Sequence, residues 1–375
     1  MPWAPLTLMA VAVFAAITTE VLPVGLLPQI SESLHTSESR VGLLVTAYAV
    51  MVAFGCIPLT ALVARWPRRP VLVSLLVMYA ISNAALAGAG SYWVALGARI
   101  VGGIAHAGFF SVVFSGAVAL VPPARVGRAV AFVSAGNALG VALGVPAGTA
   151  LGTAFGWRWA FTGAGIVMAV LAGLSTFVVP AIAAPAVSAH EPVLVAARRR
   201  PLLRVAATVV VLTLGHYTAY TYVSPLLEHA GVARSGVSLV LFGYGAAGVV
   251  GLAAVSTVVD RHPHHALQAA MSVAMASLVA VGLLGSSAIG TAAAVVVWGA
   301  AFGTLPTLLQ TAAFRSSPQS PDAAPAIVNT TFNLGIGGGA LLGSRELVVV
   351  APPALALTGA ALVAVALAMQ AGRTD

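Results

Sequence analysis

The chain has 375 residues, 60% hydrophobic and 7% charged, with 17 basic residues (all arginine) against 9 acids. A soluble domain carries about 25% charged residues, so the composition excludes a soluble fold and requires a polytopic membrane protein. The net charge of +8 does not signal nucleic acid, because the arginines fall in short stretches between apolar spans.

A spanning helix needs about 20 mostly apolar residues. That rule predicts helices over 6–29, 40–63, 70–89, 92–119, 126–151 and 158–181, then over 203–227, 235–258, 265–286, 289–312, 323–344 and 351–371. The predicted class is an all-α membrane protein of twelve helices in two six-helix bundles around a central cavity. The bundles are expected over 1–182 and 203–375, joined by a cytoplasmic loop over 183–202 that carries Pro185, His190, Glu191, Pro192, Arg198, Arg199 and Arg200. The N-terminus has no basic n-region and no evident cleavage site, so its first apolar run reads as a retained helix. Cys56 is the only cysteine, which rules out an intrachain disulfide. Arginines concentrate on one side. Arg65, Arg68, Arg69, Arg125, Arg128, Arg198, Arg199, Arg200, Arg204, Arg261, Arg315 and Arg373 share the even-numbered loops and the C-terminus. Arg40, Arg158, Arg234 and Arg345 fall on the other side, so both termini are expected in the cytoplasm, in a cell inner membrane.

In the first span, Glu20 stands roughly mid-helix. A carboxylate at membrane depth is costly and marks function by default; hydrocarbon disfavours its charged form, which suits reversible protonation. In the fourth span, Arg99 stays charged and needs a carboxylate, carbonyls or water. Glu20, direct or through water, is its expected partner. His106 follows Arg99 by two turns on roughly the same face. In the fifth span, glycine recurs every fourth residue at Gly136, Gly140, Gly144, Gly148 and Gly152, with Pro146 inside the run and Asn137 beside it. Such a bare face lets helices approach closely. It reads either as plain packing or as a seam where two bundles slide and seal.

In the seventh span, His216, Tyr217 and Tyr220 are candidates for the cavity wall, with a hydrogen-bonded core histidine as the plainer reading of His216. Asn329 and Asn333 stand one turn apart in the eleventh span, to bond across helices or touch substrate. Asn329-Thr330-Thr331 spells a glycosylation sequon, but inside a span. Gly335-x-Gly337-x-x-Ala340 matches a dinucleotide fingerprint in letters alone, without the strand that the motif requires. His262, His264 and His265 crowd one loop and read better as solvated than as a metal site. No Ser/His/Asp cluster, phosphate loop or zinc spacing stands out, so no enzyme, ATP-driven pump, cofactor or metal is expected.

The halves read as copies. A shift of 196 residues aligns Tyr48 with Tyr244, Gly55 with Gly251, Arg65 with Arg261, Pro67 with Pro263 and Glu20 with His216. A shift of 195 aligns Gly140, Gly144 and Gly148 with Gly335, Gly339 and Gly343. Parallel repeats of this kind enclose a substrate site near the midplane.

Four stretches carry a likeness: Thr19 to Pro28 with its acid, Arg99 with Gly103, Ala105, His106, Phe109 and Phe110, Gly136 to Gly148 with Pro146, and Gly156-Trp157-Arg158-Trp159-Ala160-Phe161. On them the chain resembles the major facilitator superfamily over essentially its whole length. Within it, the chain is similar to the twelve-helix proton-driven drug and sugar efflux branch, near bacterial chloramphenicol-resistance and arabinose-type exporters. The resemblance links Arg99 to proton coupling and the Pro146 region to antiport. The loop after the second span departs from the superfamily pattern. Thr60, Ala64 and Pro67 replace its Gly, Asp and second Gly, while Arg65, Arg68 and Arg69 remain and the second-half copy keeps Asp260-Arg261. The expectation is a monomeric proton-coupled antiporter exporting a small drug-like or sugar-like molecule. A proton symporter or facilitator for a nutrient is the competing transport reading, and a non-transporting sensor the reading from another class.

Overall fold

The computed structural model describes residues 1–63, 66–181, 200–256, 262–316 and 323–370. Arg65, Asp260, Arg261, Arg373 and the linker up to position 199 lie outside the described residues.

The N-terminal half holds α1 (Trp3–Ser33), α2 (Glu38–Val63), α3 (Arg68–Ala87), α4 (Tyr92–Ala119), α5 (Val126–Leu139), α6 (Val145–Phe155) and α7 (Trp157–Val178). A π-turn over Gly140–Gly144 joins α5 to α6 into one 28-residue span, Arg128–Phe155. The C-terminal half holds α8 (Arg200–Tyr220), α9 (Val223–His229), α10 (Arg234–Ser256), α11 (Pro263–Leu283), α12 (Ala288–Phe302), α13 (Leu305–Ser316), α14 (Ala323–Glu346) and α15 (Pro352–Gln370). Among the described residues, eleven helical stretches are long and apolar enough to cross a membrane. The expected eleventh span is α14, a 24-residue helix that Asn329, Thr330, Thr331 and Asn333 make less apolar than the rest. Outward faces are hydrocarbon: Phe177, Ile289 and Val349 are almost wholly exposed, as lipid contact requires.

Three spans are less regular than the hydropathy pattern predicts, and proline accounts for each. A proline has no N–H for the carbonyl four residues earlier. Pro225 leaves the Thr221 carbonyl without its helical donor, and the seventh span breaks at Thr221–Tyr222 between α8 and α9. Pro306 does the same to Phe302, and the tenth span breaks at Gly303–Thr304. Pro146 does it to Ala142, in the middle of the π-turn.

The repeat is structural. Gly103 of α4 crosses α2 against the backbone carbonyl of Tyr48. Gly299 of α12 crosses α10 against the carbonyl of Tyr244 in the same way. These are the positions that the 196-residue shift equates. The same pairing recurs elsewhere: α2 packs on α4 as α10 packs on α12, and α3 on α7 as α11 on α15.

The halves meet along two symmetric lines, α2 against α14, and α10 against α6 and the π-turn. At one end they are also tied by polar contacts. The Ser39 hydroxyl donates to the Ser344 carbonyl at 2.7 Å. Arg234 donates to both carboxylate oxygens of Glu32 and, at 3.2 Å, to Glu228. The Tyr222 ring fills the space above Gly42, where any side chain would strike its hydroxyl.

The glycine ladders face inward, each within its own half. Gly136 lies against the Ala10 carbonyl of α1, Gly140 against Phe14 and Ile17, Gly144 against Thr18, Gly148 against Leu22 and Gly152 against Leu26. Gly335, Gly339 and Gly343 lie likewise against Val210, Leu214 and Thr218 of α8. The contact between halves falls on the neighbouring face, where Gly245 of α10 abuts Ala142. The seam reading is therefore corrected: a four-residue period marks a bare face without saying which helix it meets. Gly136→Leu should lower the melting temperature and the yield of purified protein together, since overpacking a close crossing costs about 1–3 kcal/mol. Gly97→Ala, whose new methyl would meet nothing within 4 Å, should leave both unchanged.

Candidate functional site

Pro23 again leaves a carbonyl without its helical donor, that of Thr19 in mid-α1. Arg99 takes it. The guanidinium is 1% exposed and donates from Nη1 to the Thr19 carbonyl at 3.0 Å, from Nη2 to the Glu20 carbonyl at 2.9 Å, and from Nε to the Leu44 carbonyl at 3.3 Å. Its plane lies over the Tyr48 ring, 4.0 Å from the centroid, a favourable place for a desolvated cation. Arg99 thus binds the backbone of α1 and α2. The expected Arg99–Glu20 link exists through the Glu20 carbonyl, whereas its side chain points elsewhere.

The Glu20 carboxylate, buried at the edge of this cluster, lies 3.8 Å from His106 Nε2. On the other side of the imidazole, Nδ1 and the Tyr48 hydroxyl are 2.8 Å apart. Tyr79, Phe109 and Phe110 pack around the His106 ring and one another. Glu20, His106, Tyr48 and Arg99 therefore form one buried set drawn from α1, α2 and α4. The arrangement holds a carboxylate between an imidazole and a guanidinium, away from bulk water. It can bind and release a proton without an ion pair having to break. Sequence reasoning found Glu20, Arg99 and His106. It missed Tyr48 as their shared neighbour, although the repeat had singled out Tyr48.

The facing half brings His216, Tyr217 and Tyr220 together on α8. His216 is 1% exposed and stands among Tyr217, Tyr220, Trp298 and Phe302. Tyr217 is half-buried and within electrostatic reach of Glu20 across the interface. Asn329 donates to Cys56 Sγ at 3.2 Å, from α14 to α2, and Asn333 donates back to the Asn329 carbonyl at 3.0 Å. Of the two asparagines, Asn329 bonds across the halves. Asn137 is exposed and stays apart from these groups. It is one turn before Val141, which packs against the C-terminal core. Pro146 opens α6. In the loop motif, Arg68 is buried and donates to the Val63 carbonyl at 3.3 Å, while Arg69 donates to the Thr176 carbonyl at 3.4 Å. Among the described residues no His, Cys, Asp and Glu group has the makings of a metal site.

A two-fold repeat of apolar spans is the build of many secondary transporters. The chain matches the Major Facilitator Superfamily over residues 8–340 and belongs to it. It is 32% identical to a chloramphenicol efflux pump of Mycobacterium tuberculosis, across 96% of this chain and 92% of that one. It is also 32% identical to a "Probable sugar efflux transporter" of Mannheimia succiniciproducens, across 90% and 85%. A bacterial homolog of the human lysosomal transporter Spinster, solved in an inward-facing and occupied conformation, shares its fold with a TM-score of 0.73, 15% identity and coverage of 97% and 95%. The human organic anion transporter MFSD10 (TETRAN) does so with a TM-score of 0.74, 18% identity and coverage of 98% and 99%. The protein is a multi-pass membrane transporter of small molecules and not an enzyme.

Arg99→Lys should destabilise the purified protein by about 1–3 kcal/mol, because an ammonium cannot reach three carbonyls set around a planar fork. Pro23→Ala, which returns an N–H to the Thr19 carbonyl, should weaken the same clamp. Thermal unfolding in detergent reads both.

Proposed function

We propose that the protein is a proton-coupled antiporter that exports a small drug-like or sugar-like molecule across the cytoplasmic membrane. In this reading residues 1–182 and 203–375 are two bundles joined by a cytoplasmic loop, and both termini are cytoplasmic. The single observation that carries the reading is the buried Glu20 carboxylate at the interface of the halves, beside His106 and with Arg99 fixed nearby. A purely structural span has no need of such a group. The two relatives named for efflux support the direction. With cytoplasmic termini, the end closed by Ser39–Ser344 and Glu32–Arg234 is the outer one, and exposed Asn137 lies towards the inner mouth.

Pro28 adds to that closure. It leaves the Val24 carbonyl without an intrahelical donor, and the Ser224 hydroxyl of the other half donates to it at 2.7 Å. Alternating access then breaks Ser224–Val24 and Glu32–Arg234 together as the outer end opens. Proton binding at Glu20 removes a negative charge from the interface, and proton release restores it. Exchange of a proton for substrate at this one interface couples the two flows.

Glu20→Gln keeps the shape of the side chain and removes its proton site. In reconstituted vesicles with an imposed proton gradient, chloramphenicol movement by this variant should fall to that of protein-free vesicles while its melting temperature holds. Undiminished gradient-driven movement would overturn the proton role. Accumulation of substrate down an inward proton gradient by the wild type, instead of expulsion, would favour symport.

A further inference from the structure

The 196-residue repeat equates Glu20 with His216, Tyr48 with Tyr244, Gly102 with Trp298 and His106 with Phe302. Glu20, Tyr48 and His106 of the N-terminal cluster thus answer to ring-bearing residues, Trp298 answers to a glycine, and Arg99 answers to Val295. The crossings of Gly103 and Gly299 place the two sets at equivalent depths. Their chemistry differs. Where one half has a carboxylate the other has an imidazole, and where one has a cation the other has an aliphatic side chain. Phe302 stacks on the face of His216 with centroids 3.2 Å apart, and Tyr220 stands beside it at 5.0 Å and 23°. Trp298 meets it edge-on at 4.8 Å, and Tyr244 meets Tyr220 at 5.0 Å.

This cluster has polar atoms that its own half does not satisfy. His216 Nδ1 and Nε2, Trp298 Nε1 and the Tyr244 hydroxyl are all buried without a hydrogen-bond partner. His216, Trp298 and Tyr244 are 1%, 0% and 3% exposed. Unpaired buried donors and acceptors are costly, and a plain core would have filled these places with apolar side chains. Their own helices bring no formal charge near them: Arg200, Arg204 and Arg234 sit near the N-terminal ends of α8 and α10, and α12 has none.

We propose that this aromatic box is the seat of an uncharged, ring-bearing part of the transported molecule. The inference rests on the transport reading above and assigns the C-terminal half to substrate as that reading assigns the N-terminal half to the proton. Ring faces receive a flat group, whether an aromatic ring or the apolar face of a pyranose. The indole N–H, the tyrosine hydroxyl and the two imidazole nitrogens supply donors and an acceptor for its substituents. A charged group finds no counter-ion on these helices. Half-buried Tyr217 stands at the edge of the box, against His216, Tyr220 and Phe302. Phe302 covers one face of His216 and is the last residue of α12, directly before the break at Gly303. Movement of that break carries the ring on or off the seat.

The test is binding to the purified full-length protein in detergent at one pH, with no gradient. The probes are chloramphenicol as the uncharged aromatic, L-arabinose as the pyranose, and tetraphenylphosphonium as a charged control. Tyr244→Phe and Trp298→Phe should each weaken binding of one uncharged probe about tenfold, the effect of one lost hydrogen bond to a buried group. Whichever probe responds identifies the ring. Neither variant should change tetraphenylphosphonium binding, and Trp157→Phe, at the far end of the N-terminal half, should change nothing. Tyr244→Phe removes a hydroxyl that has no partner, so its melting temperature should hold or rise while its affinity falls. A merely structural tyrosine would not divide the two readouts in that way. Failure of the wild type to bind either uncharged probe, or equal binding by wild type and both variants, overturns the proposal. If the wild type binds in the box yet moves no probe in vesicles, the transport reading falls and the seat stands. If transport proceeds and the variants bind as the wild type does, the seat falls and the transport reading stands.

Discussion

A guanidinium in hydrocarbon must find acceptors within the protein, because it cannot shed its charge and water cannot reach it. Arg99 meets that demand with three backbone carbonyls from two helices. The acceptor on Thr19 is available because Pro23 has no proton to offer it. One missing N–H in α1 therefore decides where α4 docks, and through α4 where His106 and Glu20 meet. The arrangement also frees the carboxylate. Had Arg99 paired with the Glu20 side chain, protonation would have had to compete with a desolvated ion pair.

The same device recurs along the chain. Pro28 leaves Val24 for Ser224 of the other half. Pro146, Pro225 and Pro306 each follow a π-turn or a helix break within four residues. Membrane spans tolerate proline because neighbours satisfy the carbonyl it strands. Here the neighbours are a buried cation and a helix of the opposite half. Pro23 and Pro28 thus mark places where α1 joins other spans through its backbone, the second of them across the halves.

Much of this fold was legible beforehand. Hydropathy located the spans to within a few residues, since hydrocarbon thickness fixes their length. Fixed offsets between glycines, tyrosines and arginines exposed the repeat, and Glu20 and Arg99 stood out by cost alone. What the sequence did not carry was direction around each helix. The spacing of Gly136 to Gly152 declared a bare face, yet α1 and the opposite bundle were equally good occupants. Arg99 had an acid nearby in the count of charges, and only the packing showed that carbonyls came first. Pro23 and Pro28 were visible as letters, but which group takes a stranded carbonyl depends on helices distant in sequence. Part of the aromatic box escaped for a similar reason: His216, Tyr217 and Tyr220 stood out, whereas Trp298 and Phe302 lie in an unremarkable apolar run, and only their position beside His216 gives them meaning.

The glycine ladder has one more consequence. It lets α1 sink against the fifth span, and with α2, α4 and α7 also packed on it, buried residues run almost the whole length of α1. The helix that holds Glu20 consequently touches little lipid, whereas α10 and α11 present broad faces to the bilayer. Changes in acyl-chain length or membrane fluidity press first on the rim of the molecule and reach the helix of Glu20 through the helices packed around it.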